Sequence, residues 1–143
     1  MKFREPKSMP CRDLDQLYPI VKAKALQLAA LCNKAGIPIT ITQTYRSSRY
    51  QQALYDIGRT RQGNKVTNCK PGTSPHEYRI AFDVCMNIKG YTWDAAMLKK
   101  VGEYGKTLGL QWGGEFKTLK DYPHFQYLGC YTMSQIKSGK IPV

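Results

Sequence analysis

The chain holds only two histidines, His76 and His124, and it sets an aspartate, Asp83, inside the apolar run "IAFDVCM". A carboxylate buried without a partner costs on the order of several kcal/mol, so a cation, a hydrogen-bond network or a metal must compensate Asp83. Zinc in a catalytic site takes three protein ligands from His, Asp, Glu or Cys and leaves its fourth position to water. His76, Asp83 and His124 could supply such a set. The H-E-x-x-H helix of common metalloproteases is absent, because His76-Glu77 has no histidine four residues on, so any zinc would be held from loops and strands. His76 and Asp83 stand seven positions apart, an odd separation that aims them at opposite faces of a straight strand. Bringing them together requires a turn or bulge between Glu77 and Ile80. The alternative is a hydrogen-bonded structural histidine with no shared metal.

The elements that must position these residues are legible as periodicities. Leu14, Leu17, Tyr18, Val21, Ala25, Leu28, Cys32 and Ala35 recur at helical spacing, which predicts an amphipathic helix capped by Asp13 and stopped by Gly36. "IPITITQTYRS" sets Ile37, Ile39 and Ile41 against Thr40, Thr42 and Thr44, a half-buried strand with Tyr45, Arg46 and Ser47 at its exit. Ser48 with Gln51 forms a capping-box signature for a second helix that Gly58 ends. Residues 59–74 are polar and without period, a loop of a length that often serves function. The next strand puts Ile80, Phe82, Val84 and Met86 on one face and Ala81, Asp83 and Cys85 on the other. Thr92 is expected to cap a third helix with the stripe Trp93, Met97, Val101, Tyr104 and Leu108. Extended pieces follow at Leu110 to Trp112 and His124 to Tyr127, and Thr132 with Gln135 opens a small last helix. These elements imply an α+β fold, with helices packed on a small, mostly antiparallel sheet.

Composition narrows the class. At 143 residues, 42% hydrophobic and 22% charged, the chain reads as one folded domain spanning 1–143. No stretch approaches the roughly 20 apolar residues of a membrane span, and "MKFREPKSMPCRD" lacks the apolar core of a signal peptide, so neither membrane insertion nor export is expected. Five cysteines without a C-x-x-C pair read as reduced, small buried hydrophobes, with zinc ligation as the alternative. Twenty-two Lys and Arg against ten Asp and Glu give a formal charge of +12, which attracts polyanions such as nucleic acid, anionic wall polymer or a membrane surface. The basic residues form no block or nucleic-acid motif, so a solvated basic surface on a monomer is the plain reading and nucleic acid is not expected as a partner.

"SPHEYRIAFD", Ser74 to Asp83, resembles the S-x-H-x-x-G-x-A-x-D signature of the zinc peptidases related to D-alanyl-D-alanine carboxypeptidases and the hedgehog zinc fold. "WGGEFKTLKDYPHFQ", Trp112 to Gln126, is similar to their second motif, in which an acidic residue precedes the last zinc histidine by three. The resemblance extends through "RDLDQLYPIVKAKALQLAALCNKAGIPITITQTYRSSRYQQALYDIGRT" and "KVTNCKPG", nearly the whole chain, and is closest to the L-alanyl-D-glutamate endopeptidases of bacteriophage endolysins. It implies a hedgehog/D-Ala-D-Ala-peptidase-like fold and one zinc per chain on His76, Asp83 and His124. It further implies Asp121 as the catalytic carboxylate and Arg46 beside the scissile carbonyl or its oxyanion. Ser74 and Gln51 are implied near the substrate, with packing or capping roles as the alternative, and Glu77 reads as a solvated loop charge.

The implied reaction is hydrolysis of the L-alanyl-D-glutamate bond of peptidoglycan stem peptides. A D,D- or L,D-carboxypeptidase is the alternative within that chemistry, and a non-catalytic basic wall- or nucleic-acid-binding protein is the alternative outside it. An endolysin of this kind would wait in the host cytoplasm until the membrane is permeabilised. With no separate wall-binding domain expected, the basic surface would attract anionic wall polymers. The sequence departs from the signature at Arg79, where glycine would ease the required bulge by entering positive φ freely, and at Gln126, where many relatives have glutamate. Asp121 is also an odd separation from His124. Pro123 between them offers the kink that could bring both to one place, with Glu115 as the rival base.

Overall fold

Phe82 and Val84 alternate with Asp83 along β2 (Ala81–Met86), and in the computed structural model, which describes residues 2–143, this strand is an inner member of a four-stranded sheet. The order is β1-β2-β4-β3, with β1 at Ile39–Gln43, β3 at Gln111–Trp112 and β4 at His124–Gln126, and every pairing is antiparallel. Ile80, Phe82, Val84 and Met86 enter the core as the alternation predicts, and the rings of Phe82 and Phe125 stack with centroids 5.7 Å apart. Helices α1 (Pro19–Lys34) and α3 (Ala95–Thr107) pack into the same core through Val21, Ala25, Leu28, Leu98 and Val101. Each of these leucines and valines contributes about 1.5–3 kcal/mol when fully buried, so this is the face that holds the sheet in place. Gly105 allows the close approach of α3 to the sheet, since a Cβ there would lie 2.5 Å from Cε1 of Phe125. The opposite face is left for polar work. There Asp83 of β2 sits directly across from His124 of β4.

Several helix starts differ from the sequence expectation, each for a local reason. Asp13 caps a single 3₁₀ turn, Leu14–Gln16, and the long helix begins afresh at Pro19, whose fixed φ suits a first helical position. The cap of α2 (Ser48–Asp56) is Ser47, whose hydroxyl accepts from the Tyr50 amide at 3.1 Å. Ser48 lies inside that helix and donates to Glu77, which frees Gln51 from any capping duty. Asp94 caps α3 in place of Thr92, accepting from the Met97 amide at 2.9 Å, and Trp93 stays 59% exposed outside the apolar stripe. Thr132 and Gln135 do form the capping box of the last helix, α4 (Met133–Lys137). Among the cysteines Cys11 and Cys32 are buried as expected, whereas Cys130 is exposed. No helix among the described residues is long and apolar enough to cross a membrane.

Two irregularities turn the backbone toward the polar face. In β1 the register against β2 slips between Ile41 and Gln43, a bulge that inserts Thr42 and ends the strict Ile/Thr alternation. Thr44 beyond the bulge is consequently fully buried, where alternation alone would have left it facing solvent. The second irregularity is Arg79, which follows the 3₁₀ turn Pro75–Tyr78 with φ 62° and ψ 29°. This is the left-handed turn that the odd spacing of His76 and Asp83 demands, made by an arginine where the signature has glycine. Its guanidinium is half-buried between two aromatic rings. It lies 4.0 Å from the ring centroids of both Phe3 and Tyr45 and donates to the backbone and side-chain oxygens of Gln16.

A left-handed conformation costs a non-glycine residue roughly 1–2 kcal/mol, and each cation-aromatic contact returns roughly 0.5–2 kcal/mol. Arg79→Ala keeps the strain and loses the contacts, so urea unfolding is expected to show it about 1–3 kcal/mol less stable than the parent. Arg79→Gly loses the contacts and relieves the strain, and its loss should be smaller by roughly 1 kcal/mol. A glycine variant no more stable than the alanine variant would show that the left-handed backbone carries no load.

Candidate active site

His76 is delivered by the 3₁₀ turn, Asp83 by β2 and His124 by β4, and all three are buried. Nε2 of His76, Oδ1 of Asp83 and Nδ1 of His124 lie 3.2 Å apart in every pair. The outer nitrogen of each ring is committed elsewhere. Nδ1 of His76 stands 2.7 Å from the carbonyl oxygen of Thr44, which can only accept, so that nitrogen carries the proton. Nε2 of His124 stands 2.7 Å from Oε1 of Gln126, and the Gln126 amide donates onward to Gln111 at 2.8 Å, which fixes its oxygen toward the ring. Both imidazoles in their neutral form therefore turn lone pairs inward, onto a carboxylate oxygen.

Three acceptors at this spacing repel one another unless something positive lies among them. Burial pulls His76 below its ordinary pKa. Burial also pulls down on His124, but its hydrogen bond to Asp83 and the charge of that carboxylate overrule this and raise it. Burial pushes the Asp83 carboxyl up, and the two imidazoles overrule it in turn, holding the group well below the usual range. One proton on His124, or a metal cation in its place, resolves the repulsion, and a metal would displace the proton. A tetrahedral ion with bonds of about 2.0–2.1 Å separates its ligands by roughly 3.3 Å, so two nitrogens and one oxygen at 3.2 Å suit zinc in both spacing and donor type. This is the one group of three or more potential metal ligands among the described residues, and no cysteine belongs to it.

Arg46 leaves the bulged end of β1 and makes a second compensation for Asp83 that sequence reasoning did not foresee. Its Nη2 donates to Oδ2 of Asp83 at 3.3 Å, Nε to Gln43 at 2.8 Å and Nη1 to Gln51 at 3.3 Å. These use three of its five N–H groups. Gln51 is fully buried and its amide also donates to the Cys69 carbonyl at 2.8 Å. It stands behind Arg46 and braces the 59–74 loop, which fits the packing alternative. Ser74 is buried as the cap of the His76 turn, accepting from the His76 amide at 3.3 Å, although it also lines the cavity. Glu77 is no solvated charge: its carboxylate accepts from the amides of Gly72 and Ser74 and from Ser48.

His76 and His124 open onto a cavity of about 300 Å³ lined also by Arg46, Asp121, Cys69 and Phe116 among others, with Asp83 behind them. Asp121 reaches it through a tight turn in which the His124 amide donates to the Asp121 carbonyl at 3.1 Å and the Asp121 amide to Gly113 at 2.9 Å. Burial, aided by the nearby Asp83 charge, raises the pKa of Asp121. Glu115, the rival base, is exposed and paired with Lys106 at 3.0 Å, outside the cavity lining. Thr44, through its carbonyl, is a member of the site that the sequence reading missed; only the bulge reveals it.

An antiparallel sheet offering a His-Asp-His set, with a raised carboxylate and an arginine beside it, defines a metallopeptidase. The chain belongs to the M15 peptidases: residues 67–127 match their D-alanyl-D-alanine carboxypeptidase family, and over 78% of its length the chain is 39% identical to the peptidoglycan L-alanyl-D-glutamate endopeptidase CwlK of Bacillus subtilis (strain 168), covering 74% of that protein. In fold it is similar to the L-Ala D-Glu endopeptidase ChiX of Serratia marcescens, with a TM-score of 0.61, 24% identity and coverage of 84% of this chain and 89% of that one. It is equally similar to a variant of the vancomycin resistance D,D-pentapeptidase VanY in complex with Zn(II), with a TM-score of 0.63, 14% identity and coverage of 85% and 78%. At such identities these two likenesses show the fold alone.

Because Gln51 is fully buried, Gln51→Ala leaves Arg46 and the Cys69 carbonyl each short of a partner. Thermal unfolding should report a loss of about 1–3 kcal/mol. Unchanged stability would mean that Gln51 does not brace the loop.

Proposed function

We propose that the chain is a zinc-dependent peptidoglycan hydrolase that cleaves the L-alanyl-D-glutamate bond of stem peptides. The observation that carries this reading is the inward convergence of three lone pairs on His76, Asp83 and His124. The 39% identity to CwlK supports the choice of bond. A D,D- or L,D-carboxypeptidase is the second reading, favoured by the family description and by carboxypeptidases among the structural neighbours. The sequence resemblance alone supports deployment as a phage endolysin that reaches the wall once the host membrane is permeabilised.

His76, Asp83 and His124 would hold one zinc ion per chain, which when bound supplies Lewis-acid polarisation of a carbonyl and acidifies water. The residues of the chain do the rest. A carboxylate oxygen of Asp121 takes the proton of the attacking water and returns it to the leaving amine, a role suited to a carboxyl raised by burial. Arg46, fixed by Gln43, Gln51 and Asp83, aims its free N–H groups at the developing oxyanion. Gln126 and the Thr44 carbonyl keep both imidazoles turned inward.

Digestion of purified peptidoglycan followed by mass spectrometry tests the bond. New L-alanine carboxyl ends and D-glutamate amino ends are expected, while release of D-alanine alone would make the chain a carboxypeptidase. Metal analysis is expected to find one zinc per parent chain and little in His76→Ala or His124→Ala, since two remaining ligands hold the ion poorly. Full occupancy in both variants would sink the ligand assignment. Asp121→Asn should keep its zinc and its fold yet lose turnover by about a hundredfold or more, the scale of lost general acid-base catalysis. Glu115→Gln should keep most activity, and the reverse pattern would move the base to Glu115.

A further inference from the structure

The segment 120–123 has a second side. Asp121 contributes to the catalytic cavity and also, with Trp93, Lys120 and Tyr122, to a shallow depression of about 270 Å³ on the outer surface. A neighbouring depression of about 380 Å³ shares Lys120 and Tyr122 and adds Lys99 and Lys100. Trp93 is 59% exposed and belongs to no core stripe, an unusual cost for so large a ring, and Lys99 lies over the half-buried ring of Tyr122 at 5.7 Å. Three ammonium groups, of Lys99, Lys100 and Lys120, against the two carboxylates of Glu103 and Asp121 leave this surface with an excess of donors. It offers flat aromatic faces and N–H donors, one chain segment away from the site of hydrolysis.

The proposed reaction says what should lie there. L-Alanine is the residue of the stem that is joined to the glycan, through a lactyl linker, so cutting after it places the sugar one residue and one linker from the scissile bond, roughly 7 Å of extended chain. A carboxypeptidase cuts at the far end of the stem, with the glycan a further two or three residues away, roughly 7–11 Å. An enzyme of the first kind therefore works with the sugar beside its cavity. We infer that the Trp93–Tyr122 surface, with Lys99, Lys100 and Lys120, binds the N-acetylated glycan strand of peptidoglycan, the aromatic rings taking sugar faces and the lysines the hydroxyl and acetamido oxygens. This rests on the endopeptidase reading and names the part of the substrate that the catalytic cavity does not hold.

Binding can be read without turnover. Trp112 is buried, so acrylamide quenching of intrinsic fluorescence reports chiefly on Trp93. Peptide-free oligomers of N-acetylglucosamine and N-acetylmuramic acid should protect the zinc-loaded chain from quenching, and protection should vanish in Trp93→Ala. In parallel, the ratio of kcat/KM on glycan-linked stem to that on free stem peptide should fall about tenfold in Trp93→Ala and in Lys120→Ala. Oligomers that give no protection, or a ratio that stays at the parent value, would overturn the proposal. So would variants that lose binding only to walls carrying phosphate polymers, which would assign the surface to those anions. Failure of the parent to cleave any peptidoglycan while oligomers still protect Trp93 would instead sink the endopeptidase reading and leave the glycan surface standing.

Discussion

The rest of the structure depends on one electrostatic constraint: two imidazole nitrogens and a carboxylate oxygen, all acceptors, must be held at 3.2 Å in a buried place. Left to themselves the rings would rotate, or exchange tautomers, to place a proton between them. Outer hydrogen bonds to the Thr44 carbonyl and Gln126 prevent this, and each needs its own support. The Thr44 carbonyl is aimed by the bulge in β1, and its amide and hydroxyl are tied to Cys11 and Asp13. Gln126 is oriented by Gln111 of the neighbouring edge strand. Preorganisation of this kind converts part of the folding energy of the sheet into affinity for a cation.

What the sequence made legible follows from which interactions are periodic. The β2 alternation, the Val21, Ala25, Leu28 and Cys32 part of the first helix's stripe, the capping box at Thr132 and the His76-Asp83-His124 set all repeat or match a motif, and the structure has them where they were expected. The need for a turn between Glu77 and Ile80 was likewise readable from parity. The side that supplies it was not, because left-handed backbone at Arg79 depends on contacts with Phe3, Tyr45 and Gln16, far away in sequence. The same holds for Gln51, whose spacing from Ser48 imitates a capping box, while Ser47 does the capping and the glutamine is spent on Arg46 and the loop. Local patterns mislead where one polar residue has two plausible partners and only tertiary packing chooses.

Arg46 illustrates a tension inside the site. The resemblance gives it to the oxyanion, whereas the geometry first gives it to Asp83, at 3.3 Å and with little solvent around either group. The two duties are compatible because a guanidinium is a fork. One Nη edge can neutralise the carboxylate while its free N–H groups face the cavity, which a lysine could not do. Asp83 is thus compensated on both oxygens, by Arg46 on one and by the imidazoles, or the ion they hold, on the other. Removing either support leaves a buried charge half paired, a costlier condition than losing an exposed ion pair.

Charge elsewhere is organised differently. The formal charge of +12 is absent from the cavity, whose lining carries Arg46 and Asp121 but no lysine, and lies on exposed positions such as Lys99, Lys100, Lys117 and Lys120. Screened at physiological ionic strength over roughly 8 Å, exposed lysines cannot assist bond breaking at the buried site, but they can raise the local concentration of a polymer and hold it in register. On the proposed reading, selection of the bond falls to the cavity, where desolvation makes each hydrogen bond count, and retention of the glycan falls to the surface, where contacts are weak and numerous. The sheet keeps the two regions apart: its polar face carries the His76-Asp83-His124 set, and the segment from Lys120 to Pro123 that leads into β4 turns its other side outward.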